Sequence, residues 1–323
     1  MLHLIDSLPM GTAQLVGFVL AMVLTALGIK FFGKYLPKDQ GREFAVNGAL
    51  SVGKTRGVGI VMIFALVIAS IITVPLKVEY IIYLAALFIE MMSGYLDDAS
   101  EKPWGELKKG IIDFVVAAGV SITVYYFHGG TIWLPLLDQY CTIPAVLYVI
   151  LGTILIWASI NVTNCTDGVD GLCCSLAMVT LSASVLLLYM ADEQNGVMNI
   201  VLIMLGVLLV YLWLNCSPSS VLMGDAGSRS LGLLIALAFM VAGTPVFWIP
   251  MTIMLIIDGG LGLLKLTVIR VCKAKNFMKN LRTPVHDHAR KNKGWSDTQV
   301  VIRFTLLQIL ICAVGLIFMF VLR

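Results

Sequence analysis

Charge is what this 323-residue chain most lacks: Asp, Glu, Lys and Arg together make up 13% of it, and histidine occurs four times. A water-soluble domain carries about a quarter of its residues as charge, so that class is excluded. With 59% hydrophobic residues and a mean hydropathy of +0.95, the chain reads as an integral membrane protein. No stretch is long and polar enough for a separate soluble domain, which leaves 1–323 as a single polytopic unit. Internal repeats and low-complexity tracts are missing too. The seven cysteines are scattered, without a CxxC pair or the Cys/His spacing of a zinc site, and read as small apolar packers. The first apolar run, 10–29, ends at Lys30 without a small-residue cleavage site, which predicts a retained span, not a signal peptide.

What the chain has is long apolar runs, each to be matched to a hydrocarbon core ~30 Å thick. Candidate spans are 10–30, 57–74, 80–96, 111–127, 143–160, 172–191, 197–214, 229–243, 246–269 and 303–322. Splitting the 229–269 run at Gly243-Thr244-Pro245 gives ten spans and gathers twenty of the twenty-two Lys and Arg on one face, leaving Lys77 and Arg323 opposite. The positive-inside rule makes that face cytoplasmic and puts both termini outside. The expected fold is therefore an all-α membrane protein of ten transmembrane helices. The ninth is interrupted at Asp258-Gly259-Gly260, where the glycines either bend the helix or serve a tight helix contact. The outside segment 128–142, with Trp133 and Tyr140, suits an interfacial belt and a small hairpin.

Against so little charge, five carboxylates stand out in three polar strings at span ends: YLDDAS (95–100), NVTNCTDGVDGL (161–172) and MGDAGS (223–228). The span count places all three on the cytoplasmic face. Asp97 and Asp98 are adjacent, so on a helix they point about 100° apart and cannot share one role. In the second string Asn161, Asn164 and Thr166 add amides and a hydroxyl, and Asp167 and Asp170 share a face if 164–172 is helical. Its two glycosylation sequons lie on the wrong side of the membrane to mean anything. Asp225 sits between glycines before a helix N-terminus, where anions are favoured. Acids and amides gathered on one face suit Mg²⁺ bridging a pyrophosphate. Glu90 and Asp258 lie deeper, either as buried partners of these acids or as groups that snorkel or pair structurally. The basic segment 282–295 carries His286 and His288; with no third ligand close by, zinc is disfavoured and contacts to an anionic substrate fit better.

At these strings the chain resembles the polyprenyl-phosphate N-acetylhexosamine-1-phosphate transferases, and within them the phospho-N-acetylmuramoyl-pentapeptide branch. Asn161–Leu172 matches NxxNxTDGxDGL, Leu222–Ser228 matches FMGDxGS, and Pro284, His286, His288, Lys293–Trp295 and Val301–Phe304 match an ending PxHxH…KGW…VIRF. The resemblance covers nearly the whole chain. It implies transfer of phospho-MurNAc-pentapeptide from its UDP donor to undecaprenyl phosphate, forming lipid I and UMP with Mg²⁺ as cofactor, in the bacterial inner membrane. By position, Asp225 is the implied metal ligand, and Asp97 and Asp98 lie beside the lipid phosphate and the metal. His286 and His288 join these acids as the catalytic set. Asn164, Asp167, Asp170, Asn215, Leu222, Gly224 and Lys54 line the nucleotide side. A homodimer is compatible with the resemblance, and nucleic acid has no place in it. Departures are Leu222 where relatives have Phe, His286-Asp287-His288 where they have three histidines, Glu101 where a lysine is usual, and GKTRGVG (53–59) in the first loop. The alternatives are a GlcNAc-1-phosphate transferase of the same superfamily and, from another class, a secondary transporter with a midplane acidic site.

Overall fold

The computed structural model of the protein describes residues 9–41, 51–100, 102, 104–134, 137–192, 196–274 and 276–322; Glu101 and Arg323 lie outside them. Its elements are α1 (Met10–Phe32), α2 (Gly59–Thr73), α3 (Val78–Asp98), α4 (Glu106–His128), a hairpin of β1 (Thr131–Leu134) and β2 (Gln139–Thr142), α5 (Ala145–Thr166), α6 (Leu172–Ala191), α7 (Gly196–Asn215) and α8 (Gly224–Val241). Then follow the short α9 (Trp248–Met251) and α10 (Ile253–Leu255), a π-helical turn over Ile256–Gly260, α11 (Leu261–Val271), α12 (Val285–Lys293) and α13 (Asp297–Leu322).

The axis of the bundle is α8, buried at every position and packed against α2, α3, α4, α5, α6 and α7. Its sequence explains why. Gly224, Ser228, Gly232 and Ala236 recur at every fourth position, giving a small-residue stripe that lets neighbouring backbones approach. By contrast α1 and α13 stay apolar but largely exposed, as lipid-facing helices do.

Among the described residues eight helices are long and apolar enough to cross a membrane, and nine if the bent pair Pro245–Met251 and Ile253–Val271 counts as one span. This is a multi-pass membrane protein. The expected second span is the apolar helix α2, which at 15 residues is shorter than the rest.

The ninth span bends by 63°, but not at Asp258-Gly259-Gly260. The break is at Thr252 (φ −122°, ψ 17°), two residues after Pro250, which has no N–H to give to the helix ladder. Gly259 serves the other reading: a Cβ there would lie 2.2 Å from the Val162 carbonyl oxygen of α5. On the opposite end the hairpin forms as expected, with Trp133 paired across from Tyr140 and stacked on Phe247.

Two glycines fix how α2, α3 and α8 meet. A Cβ on Gly94 of α3 would lie 2.3 Å from the Asp225 carbonyl carbon, and one on Gly59 of α2 would lie 2.0 Å from the Gly227 nitrogen. Both obstacles are main chain, which cannot swing aside. Gly94→Ala is therefore expected to lower stability by roughly 1–3 kcal/mol, the ordinary cost of overpacking, and to reduce activity with it. A thermal melt in detergent checks this, and an unchanged midpoint would contradict the close contact.

Candidate active site

The polar strings converge because the helices alternate direction. The ends of α3, α5 and α7 meet the starts of α2, α4, α6 and α8 at one end of the bundle. There the first loop and the third string run side by side. Leu222 donates its N–H to the Thr55 carbonyl at 2.8 Å, while Val58 and Gly59 donate theirs to Leu222 and Met223 at 3.1 and 3.0 Å. This ladder seats Asp225 in the first turn of α8, against the end of α3.

Asp97 and Asp98 diverge, as neighbours on a helix must. Asp97 accepts the Trp104 N–H at 2.6 Å and pairs with the Lys109 ammonium, which also donates to Asp225 Oδ2 at 3.1 Å. One cation thus bridges two of the acids. Asp98 turns the other way, toward Arg56, whose guanidinium reaches Asp98 Oδ1 at 2.8 Å and Asp39 Oδ1 at 3.1 Å. Burial pushes the Asp39 carboxyl up, but hydrogen bonds from Ser51 and Arg56 outweigh it and hold the group below the ordinary carboxylate range. Its contribution to stability is thus present at neutral pH and is lost only as pH falls through that lowered value.

The oxygen Asp98 Oδ2 is buried against Gly224 without a hydrogen-bond partner among the described residues. No three of His, Cys, Asp and Glu gather into a metal cage among those residues. A hard divalent ion bound mainly through phosphates and water needs only one or two carboxylates. Asp225, with Asp98 behind Gly224, fits that requirement.

The link 167–171 is a turn between α5 and α6, so Asp167 and Asp170 do not share a helical face. Asp170 Oδ2 accepts the Ser219 N–H at 2.9 Å and the Lys54 ammonium at 3.2 Å. Lys54 also donates to Ser219 Oγ at 2.9 Å, so the first loop does reach this turn. Asn164 donates to Ser228 Oγ at 2.9 Å, beside Asp225. Asn215 is spent on backbone: it accepts the Gly171 N–H and donates to the Val221 carbonyl, fixing the start of α6 to the third string. Leu222 is half-buried in the ladder next to it.

His286 and His288 are not brought together. Two positions apart on α12, they point about 200° from each other. His286 is buried and bonded to Asp258 at 2.8 Å, with its ring against Gly168, whereas His288 accepts the Arg282 N–H of its own loop at 3.4 Å. Glu90 is not a partner of the surface acids either. It sits fully buried 3.5 Å from Arg229, which pairs also with Asp113 of α4 and donates to Ser93 Oγ at 3.2 Å and to the Lys109 carbonyl at 3.4 Å. Arg229, one of the cations assigned to the basic face, is therefore inside the bundle. Lys109, Arg56, Asp113 and Arg229 carry no signal in sequence beyond being ionisable near span ends; their pairing is tertiary.

Asp97, Asp98 and Asp225 are thus laced together by Lys109 and Arg56, while Lys54 ties Asp170 to Ser219 at the same end of the bundle. Residues 80–243, from α3 to just past α8, match the model of glycosyl transferase family 4. The chain belongs to that family. Relatives of this glycosyl transferase family 4 protein include the phospho-N-acetylmuramoyl-pentapeptide-transferase of Treponema pallidum (strain Nichols), 34% identical over 295 residues, covering 85% of this chain and 80% of the relative. The protein of that name from Borreliella afzelii (strain PKo) is 26% identical over 80% of both chains. The one from the Wolbachia of Brugia malayi is 25% identical over 92% of this chain and 94% of its own. The family match spans Asp97, Asp98, Asn164, Asp167, Asp170 and Asp225.

Proposed function

We propose that this protein transfers phospho-MurNAc-pentapeptide from its UDP donor to undecaprenyl phosphate, releasing UMP and forming lipid I for peptidoglycan. The observation that carries the reading is the Asp97–Lys109–Asp225 bridge at the convergence of the three strings. Relatives named for this reaction, aligned over most of both chains, favour it over the GlcNAc-1-phosphate alternative. A transporter would need its acids at the midplane. The deep acids Glu90, Asp113 and Asp258 have partners in Arg229 and His286, and the acids of the three strings lie at one end.

With α2 and the bent pair each crossing the bilayer, ten spans put both termini outside and this end in the cytoplasm, where the UDP donor is found. That is the arrangement we assign in the bacterial inner membrane, with the whole chain as one transferase domain. The lipid substrate then meets the site without leaving the bilayer.

In the reaction an oxygen of the lipid phosphate attacks the sugar-bearing phosphorus of the donor. One P–O bond forms, and the P–O bond to UMP breaks. The acceptor phosphate has a second pKa near ~6, so at neutral pH it is mostly the dianion and needs no base. Asp97 and Asp98 then act as orienting groups: Asp97 aims the Lys109 ammonium and Asp98 aims Arg56 at the phosphates. Lys54 and Asp170 hold the 167–171 turn that faces the nucleotide. Asp225 would hold Mg²⁺, which when bound neutralises charge on the diphosphate.

The decisive experiment is UMP release by the purified protein with UDP-MurNAc-pentapeptide or UDP-GlcNAc, each with and without undecaprenyl phosphate and Mg²⁺. Release is expected only with the muramoyl donor and both additions. A stoichiometric burst of UMP without lipid phosphate would replace single displacement by a covalent aspartyl-phosphate route.

A further inference from the structure

Asp258, on the π-helical turn, and His286, in the first turn of α12, are 28 residues apart in sequence and meet in the interior. Both are buried. Asp258 Oδ1 accepts the main-chain N–H of His286 at 2.6 Å, and Oδ2 takes the ring Nδ1 at 2.8 Å. The residue preceding α12 is Pro284, which offers no side-chain cap, so Asp258 caps this helix from another element. An ionised carboxylate can only accept, so Nδ1 carries the hydrogen. Nε2 is the one polar ring atom left. It lies where a Cβ on Gly168 would come within 2.5 Å, that is, against the 167–171 turn. Asp287 Oδ1 is 4.0 Å from Nε2 and also faces Arg290 at 3.8 Å.

We propose that Asp258 is a positioning residue for the transfer, fixing the rotamer and tautomer of His286 so that Nε2 faces the donor nucleotide at the 167–171 turn. The inference rests on the function proposed above and gives a buried membrane carboxylate a task within it. A cap alone would not need a carboxylate, since an asparagine oxygen accepts a main-chain N–H equally well. Only a carboxylate accepts from the main chain and from Nδ1–H together. Asparagine would turn its NH₂ toward Nδ1 and move the ring hydrogen to Nε2, the wrong-tautomer effect known from catalytic triads.

The test uses the full chain in detergent with UMP release as the assay. Asp258→Asn is expected to lower kcat by about 100-fold while the donor KM changes by less than about threefold. His286→Gln should lower kcat similarly, and adding Asp258→Asn to His286→Gln should cost nothing more, because the aspartate acts through the ring. Independent losses that multiply would overturn the proposal and leave Asp258 a helix cap. A second measurement needs neither turnover nor a folded variant at position 258. In protein labelled with ¹⁵N-histidine, the His286 ring, assigned by its loss in His286→Gln, should show a protonated Nδ1 and a bare Nε2. The reverse tautomer would overturn the proposal even where Asp258→Asn does not fold. If the wild-type chain releases no UMP from the muramoyl donor, the proposed function falls and this role with it. With wild-type turnover intact, the double variant and the ring spectrum judge Asp258 alone.

Discussion

Asp225→Asn should cut UMP release by about 10²–10³-fold, on the scale seen when one preorganised charge partner is removed from a phosphoryl or acyl transfer site, while the thermal midpoint moves little. Asparagine keeps the volume and one acceptor oxygen, so the first turn of α8 can still form beside Asn164 and Lys109. What it loses is the charge. Lys109 then faces Asp97 alone, and the position best placed for a divalent ion becomes neutral. The assay is UMP release at saturating donor across a Mg²⁺ titration, with a melt to check folding. Full activity in a well-folded Asp225→Asn protein would remove Asp225 from the site and the proposed mechanism with it.

Arg229→Leu is expected to be the most damaging change to the fold, by about 3–5 kcal/mol, the usual cost of stripping one partner from a buried ion network. Its guanidinium is buried at 2% exposure between Glu90 and Asp113, which are equally enclosed. Leucine fills the space but leaves two carboxylates inside the bundle without a cation. The same logic predicts recovery. The triple variant Arg229→Leu, Glu90→Gln, Asp113→Asn should regain much of the lost midpoint, because amides tolerate burial where bare carboxylates do not. A single variant that melts with the wild type, or a triple variant no better than the single, would refute the network. Because Arg229 also donates to the Lys109 carbonyl, activity should fall together with stability.

Apolar run length and the placement of Lys and Arg made the helices legible, since the bilayer dictates both. The acids were legible for the same reason: carboxylates in so apolar a chain have few places to be. What stayed hidden depends on pairings across helices. A lysine in the first turn of a span, such as Lys109, looks like any interfacial lysine until α3 and α8 are seen on either side of it. Asp258 beside two glycines left a bend and a tight helix contact both open; the break follows Pro250, and the glycines press against α5. His286 and His288 looked like one motif in sequence. Helical geometry turns them apart, and a carboxylate from another element takes only the first. Asp167 and Asp170 have helical spacing without a helix, because Gly171, in a left-handed conformation (φ 83°), starts α6 only after them.

The contacts of Gly59 and Gly94 with the first turn of α8 have a consequence for how the enzyme moves. Main chain pressed on main chain allows neither a piston stroke nor a twist of α8, so the Asp225 carboxylate at its head cannot be switched by sliding that helix. The 276–296 segment is held in another way, by side chains: Asp258 grips His286 at the start of α12, and the Lys265 ammonium donates to the Leu281 carbonyl.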